Sequence, residues 1–363
     1  MSKVTGIIAE FNPFHNGHRY LLSQATGTKV VVMSGNWMQR GEPAYIDKWI
    51  RAEMALMNGA DLVVELPVLA SLQGADFFAK GAVDILSHLS VTEILFGSEV
   101  NLDYQEIADI YRKKSEKMQT YLDSLPDYLS YPVKAEKMWA KFANIQFNGG
   151  SPNHILGLAY AKAVKESDIQ LKTIIRETGY NDDKLAGTIA SATAVRQNLP
   201  ESKKAVPKNI WELLLDAAKV SWSDFWELLR YKIILSRDLT QIYQVNEELS
   251  RRIKLAIKVS GSIEMLVEKV YTKRYTKGHI RRLLTYILLD IPKNSQLVQD
   301  IHVLGFTEKG QDLLAGIRKK DISLVTRIGK NPWDSLTQSA DEIYRLGNSE
   351  IPEQTYARKP IIK

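Results

Sequence analysis

The feature that most constrains this chain is an alternation running through its first 200 residues, in which short, nearly unbroken apolar runs are separated by stretches with apolar residues at helical spacing. Residues 4–9, 29–33, 61–66, 93–96 and 171–175 read as strands buried on both faces. Residues 17–25, 49–58, 74–88 and 103–117 read as the helices between them. This order predicts an α/β fold built on an open parallel sheet with right-handed crossovers, whose ligands sit at the carboxyl ends of the strands. A less regular stretch, 121–160, holds one helical pattern at 133–147 and the start of another that runs over 153–165; it reads as an insertion in the same domain.

After Pro200 the strand signal fades, and Leu, Trp and Tyr recur at helical spacing over 211–219, 222–236, 247–259, 263–270 and 279–289. A chain of 363 residues exceeds what one core usually organises. Two domains are expected: 1–200, and a mainly helical 201–363. Residues 199–207, with two prolines and a Lys-Lys pair, form the linker, and 351–363 is expected to be loosely held.

Cysteine is absent, which excludes disulfides, a thiolate nucleophile and any Cys-ligated zinc or iron–sulfur site. The longest apolar run, 283–289, falls far short of the ~20 residues that cross a bilayer. The N-terminal stretch, interrupted by Glu10 and Pro13, does not read as a signal peptide, and a soluble cytoplasmic protein is expected. The net charge of +6 is unevenly spread: residues 1–200 hold 20 Lys and Arg against 22 Asp and Glu, whereas 201–363 hold 28 against 20. Within 251–282 there are ten basic residues and two acids, which points to a polyanionic partner for the second half.

The strongest local signal follows the first strand: Phe11-Asn12-Pro13-Phe14-His15-Asn16-Gly17-His18, opening a helix. Two histidines three apart in a first helical turn project from one side. Unpaired N–H groups at a helix start favour phosphate, and Gly17 leaves room for close approach. A His-x-x-His pair alone is commonplace; its position between the first strand and first helix of a parallel sheet gives it weight. No carboxylate or third histidine sits at metal-ligand spacing, so no metal site is expected here. After the last strand, Ser191 and Thr193 read by themselves as an ordinary Ser/Thr helix cap, with Arg196 in the helix that follows.

Residues 11–18 resemble the His-x-Gly-His motif of class I aminoacyl-tRNA synthetases and nucleotidylyltransferases, whose histidines contact ATP phosphates. Residues 189–196 resemble the second, Ile-Ser-Ser-Thr-x-Ile-Arg, signature of the nucleotidylyltransferases, and together they imply a Rossmann-like sheet. The resemblance narrows to the bacterial tRNA(Met) cytidine acetate ligases through 10–18, 33–35, 39–44, 61–67, 96–99 and 152–157, with a looser match at 273–276. Two departures stand out: His154 where that family often has a second asparagine, and no Lys-Met-Ser-Lys-Ser motif.

That family activates acetate with ATP as acetyl-adenylate and passes the acetyl group to the wobble cytidine of elongator tRNA(Met). The resemblance implies ATP contacts from Ile7, Ile8, Ala9, Glu10, Phe11, Asn12, Pro13, Phe14, His15, Asn16, Gly17, His18, Arg19 and Tyr20, and from Gly97, Asn153 and Arg176. His15 and His18 are the expected catalytic pair, Ser191, Thr193 and Arg196 complete the ATP site, and Mg²⁺ is expected on the triphosphate. The basic window supplies the tRNA candidates Arg251, Arg252, Lys273, Arg274, Lys277, Arg281 and Arg282, with Tyr275 as a stacking ring. Residues 34–44 are placed to cover an acetate pocket or touch tRNA, though their glycines and Pro43 also fit a plain turn. Lys48 and Arg51 read as solvated helix charges or phosphate contacts. A small-molecule adenylyltransferase and an RNA-binding protein with a dead nucleotide site are the competing readings; the basic helical half argues against the first and the intact His15, His18 and Arg196 against the second.

Overall fold

The computed structural model describes residues 3–145, 151–176, 188–317, 322–329 and 333–363. Its sheet contains β1 (Val4–Ala9), β2 (Thr28–Ser34), β3 (Leu62–Leu66), β4 (Glu93–Ser98), β5 (Gln170–Ile175), β6 (Ile301–Phe306), β7 (Leu324–Val325) and β8 (Ile361–Ile362), in the order β8-β6-β3-β2-β1-β4-β5 with β7 beside β6. Strands β1 to β5 pair in parallel, β1 and β2 in the register Val4↔Thr28 through Ala9↔Met33. The five predicted strands are all present. β5 departs from the expected burial: lying at the sheet edge, it exposes Gln170, Lys172 and Ile175.

Helices α1 (Asn16–Gln24) and α2 (Lys48–Met57) cover one face, in a core with Ile7, Val31, Met33 and Val63. On the other face lie α3 (Ala75–His88), α4 (Tyr104–Ser124), α5 (Tyr131–Ala143) and α6 (Pro152–Ala163), packed with Ile8, Val30, Val32 and Val64. The end of the helical pattern at 146–147 lies outside the described residues. The chain leaves β1 toward β2 on one side and later returns to β4 on its other side. That reversal opens a crevice above the β1 and β4 tips, where such sheets bind ligands.

Beyond residue 200 the expected helices form, among them α8 (Trp226–Leu235), α9 (Glu247–Ala256), α10 (Ile263–Val270) and α11 (Lys277–Leu288), after the short α7 (Ala192–Gln197). Helices alone do not describe this half, however. β6 enters the sheet antiparallel to β3, and β8 pairs with β6. The segment 351–363 is correspondingly held: Ile351, Gln354 and Thr355 are buried, and the Gln354 carbonyl accepts from Trp49 Nε1 at 2.9 Å.

The helices do not close a core of their own. Trp37, Met38, Ala44, Val68, Leu69 and Leu72, from the segments that follow β2 and β3, share one hydrophobic cluster with residues of 220–351. The carbonyl of Gly41 accepts from Trp222 Nε1 (2.7 Å) and Thr285 Oγ1 (2.9 Å). Gly41 has φ +79°, and a Cβ there would stand 2.5 Å from the Arg282 nitrogen, so only glycine fits this approach. Among the described residues no helix is long and apolar enough to cross a membrane.

Candidate active site

A cleft of about 530 Å³ opens at the switch point. It is lined by Ile8, Ala9, Glu10, Phe11, Asn12, His15 and His18 from the first strand and turn, by Gly97, Asn153 and Arg176, and by Ser191, Thr193 and Arg196. The first and last of these groups, more than 170 residues apart in the chain, therefore converge as the two signatures imply. Other members of the expected set support the turn from behind: Ile7 and Phe14 are core residues, and Asn16 Nδ2 donates to the carbonyls of Thr188 and Lys204, both at 2.8 Å. Pro13, Gly17, Arg19 and Tyr20 are not among the lining residues, and Tyr20 is half exposed.

The histidine pair is fixed by its own backbone. His15 is the N-cap of α1, its Nδ1 accepting from the Gly17 N–H at 3.1 Å, while His18 Nδ1 accepts from the His15 N–H at 3.3 Å. A backbone N–H only donates, so both rings carry their proton on Nε2. The rings stack with centroids 3.6 Å apart. Burial, followed by Arg176 and Arg196, pushes His15 down to about 3; burial, then His15 and Arg176, hold His18 well below the usual imidazole range. Both are thus neutral near pH 7, each with an Nε2–H to donate.

One expectation is corrected here. The N–H groups opening α1 are not free: Asn16 donates to the Ala205 carbonyl, Gly17 to the His15 ring, and His18 and Arg19 to the His15 carbonyl. What this turn has left to offer a ligand is imidazole N–H groups, not backbone amides. Gly17 serves the cap: a Cβ there would lie 2.9 Å from His15 Cε1.

Guanidinium groups complete the polar side. Arg196 donates to the Asn12 carbonyl and, at 3.2 Å, to Thr193 Oγ1, whereas Ser191 Oγ caps α7 through the Ala194 N–H. Arg176 lies across Gly97, its Cγ 3.0 Å from where a Cβ would stand. Asn153 Nδ2 donates to Glu99, whose second oxygen accepts from the His154 N–H. His154 is buried against Tyr104, whose hydroxyl meets its Nδ1 at 2.6 Å, so Asn153 is the neighbour that reaches the cleft.

The loop over 34–44 does line the cleft, through Met38, Gln39, Arg40 and Glu42. Its far side touches the basic helix, with Glu42 3.9 Å from Arg281. Sequence reasoning missed the apolar wall of Ala75, Phe78, Phe96, Leu156 and Tyr160, because those residues follow ordinary core periodicity. Lys48 and Arg51 are neither solvated nor at phosphate: both are fully buried, and Arg51 donates to the carbonyls of Glu10, Ser34, Gly35 and Ile46.

The basic window divides. Arg251, Lys273, Arg274 and Lys277 are exposed, Arg274 near Glu248 and Lys277 paired with Glu268. Arg252 instead caps α10 by donating to the Val270 and Tyr271 carbonyls, and Arg282 is largely covered. Tyr275 is not a free stacking ring. It is buried, and its hydroxyl bonds Asn246 and Glu248.

A mostly parallel sheet carrying a neutral histidine pair and arginines at its switch point defines a nucleotidyltransferase of the HIGH type, and the chain matches the HIGH Nucleotidyl Transferase family model over residues 2–359. It is 56% identical to the tRNA(Met) cytidine acetate ligase of Streptococcus sanguinis across 99% of each chain, and 54% identical to that of Lactococcus lactis subsp. cremoris across 100% of this chain and 99% of the other. Two crystal structures of Thermotoga maritima TmcAL superimpose with a TM-score of 0.84 over 99% of both chains, one apo at 29% identity and one bound with alpha-thio ATP at 30%. The chain belongs to the tRNA(Met) cytidine acetate ligase family.

Proposed function

We propose that this protein activates acetate with ATP as acetyl-adenylate and transfers the acetyl group to the wobble cytidine of elongator tRNA(Met), giving N4-acetylcytidine. The observation that carries the reading is the stacked His15–His18 pair, with both Nε2–H groups donating into a cleft that Arg176 and Arg196 also line. An acetate oxygen attacks the α-phosphate and pyrophosphate leaves. A carboxylate needs no general base, so positioning and charge neutralisation suffice. His15 and His18 donate to the phosphate oxygens as charge builds, and Arg176 and Arg196 hold the phosphates. Asn153 and the backbone at Gly97 bind the nucleoside. Mg²⁺ on the triphosphate would offset its negative charge; the imidazole N–H and guanidinium groups of the cleft are hydrogen-bond donors, not metal ligands, and would leave the ion to the triphosphate.

The test is direct. Incubation with ATP, radiolabelled acetate and total bacterial tRNA, followed by nuclease digestion, is expected to yield labelled N4-acetylcytidine. No acetate-dependent product with any tRNA overturns the reading, and an adenylated small molecule in its place supports the competing one.

Recognition of tRNA is assigned to the exposed basic residues. Replacing Lys273, Arg274 and Arg251 with alanine is expected to weaken tRNA binding and to flatten its salt dependence, the slope falling by about 0.7–0.9 for each phosphate no longer neutralised. An unchanged slope counts against this surface. The cytidine must leave its stack to reach the adenylate, which fits recognition of a single-stranded loop.

A further inference from the structure

Acetyl transfer poses a question that adenylation does not. The cytosine N4 amine attacks the acyl carbon, an N–C bond forms, the C–O bond to AMP breaks, and AMP leaves with the electron pair. N4 must then lose a proton, or the adduct reverts to amine and adenylate. Something at the cleft has to receive it.

Most cleft groups cannot. His15 and His18 have each engaged Nδ1 with a backbone N–H and hold their proton on Nε2. Arg176 and Arg196 are cations, and burial pushes the Tyr160 hydroxyl up, away from acting as a base. Glu42 sits at the mouth beside Arg281. Glu10 is placed differently. It ends the path of β1 just before the phosphate turn, and its Oε1 accepts the Gln39 N–H at 2.6 Å. Its carbonyl is held by Arg51 at 2.7 Å. Among the described residues no hydrogen bond occupies Oε2. The loop that holds Glu10 runs on to Glu42, which also lines the cleft and stands 3.9 Å from Arg281 of the basic helix α11, so Glu10 lies on the wall of the cleft that borders this helix.

We propose that the Glu10 carboxylate accepts the N4 proton during acetyl transfer; this rests on the reaction proposed above. The proton moves from N4 to Oε2 as AMP departs, and then to water. Burial raises the Glu10 carboxyl above its ordinary range, against the Gln39 N–H, Arg40 and Arg51; Glu42 and Tyr160 are the other ionisable groups beside it. A less acidic carboxyl is a better acceptor.

Glu10→Gln keeps an oxygen for the Gln39 N–H and loses the base. Two half-reactions are measured: acetate-dependent ATP–pyrophosphate exchange without tRNA, and single-turnover transfer from preformed acetyl-adenylate to tRNA. Transfer is expected to slow about a hundredfold more than exchange, with Glu10→Asp recovering part of the difference. Equal slowing of both, or a larger loss in exchange, overturns the assignment and makes Glu10 a nucleotide or structural residue. If the unaltered protein shows no acetate-dependent exchange, the reaction itself falls and the assignment with it.

Discussion

His18→Ala is expected to slow acetate-dependent ATP–pyrophosphate exchange by at least about a hundredfold, the ~3 kcal/mol typical of losing one donor to a developing charge, while tRNA affinity changes less than about twofold. The structure gives the substitution two consequences. It removes an Nε2–H from the cleft, and it leaves the His15 N–H without the ring that accepts it. An unsatisfied N–H costs about 1–3 kcal/mol, so the melting temperature should fall modestly alongside the chemistry. Filter binding of labelled tRNA separates the two. An equal loss of exchange and of tRNA affinity makes the histidine a purely structural residue.

Lys48→Met is expected to lower stability at pH 7 by about 3–5 kcal/mol, a large fraction of the 5–15 kcal/mol typical of folded domains. Lys48 Nζ donates to both Glu65 oxygens at 2.8 Å and to Asp341 Oδ2 at 2.5 Å, and all three side chains are buried. Glu65 also meets His302 Nδ1 at 2.7 Å, and Asn36 bridges Asp341 and Gln354. Without the ammonium, two carboxylates face each other in a dry site. Burial, with Glu65 adding repulsion, already pushes Asp341 up to about 7. Carboxyls whose folded pKa lies above the unfolded value bind protons preferentially in the folded state, so acidification from pH 7 toward 5 should return part of the lost stability. Urea melts of the variant at both pH values, and of Lys48→Met combined with Glu65→Gln and Asp341→Asn, check this. A loss below about 1 kcal/mol, or a variant weakened further by acid, contradicts the account.

What the sequence disclosed follows from where its signals lie. The β-branched strand runs and the two short motifs are local, and local patterns located β1 to β5 within a residue or two and picked out His15, His18 and Arg196, which line the cleft. Lys48 and Arg51 were misread because a charge in a helical pattern ordinarily points to water; their partners stand elsewhere in the chain, Asp341 nearly 300 residues away. β6 was missed for the same reason. Its six residues include His302 and Gly305, and what makes it a strand is β3, some 240 residues earlier. Tyr275 shows the opposite error, since an aromatic among basic residues reads as a stacking ring until its hydroxyl partners are seen.

The grip on Gly41, by Trp222 and Thr285, bears on how this architecture can be altered. A fragment ending near residue 200 would strip the strand-tip loop of those donors and bare Trp37, Met38, Val68 and Leu72 to water. It would also lose β6 and β8 from the sheet. The two halves are therefore not interchangeable cassettes. Moving the α/β half onto another scaffold would require carrying Trp222, Thr285 and the apolar residues packed around them, so the helical part is better altered on its exposed faces than exchanged whole.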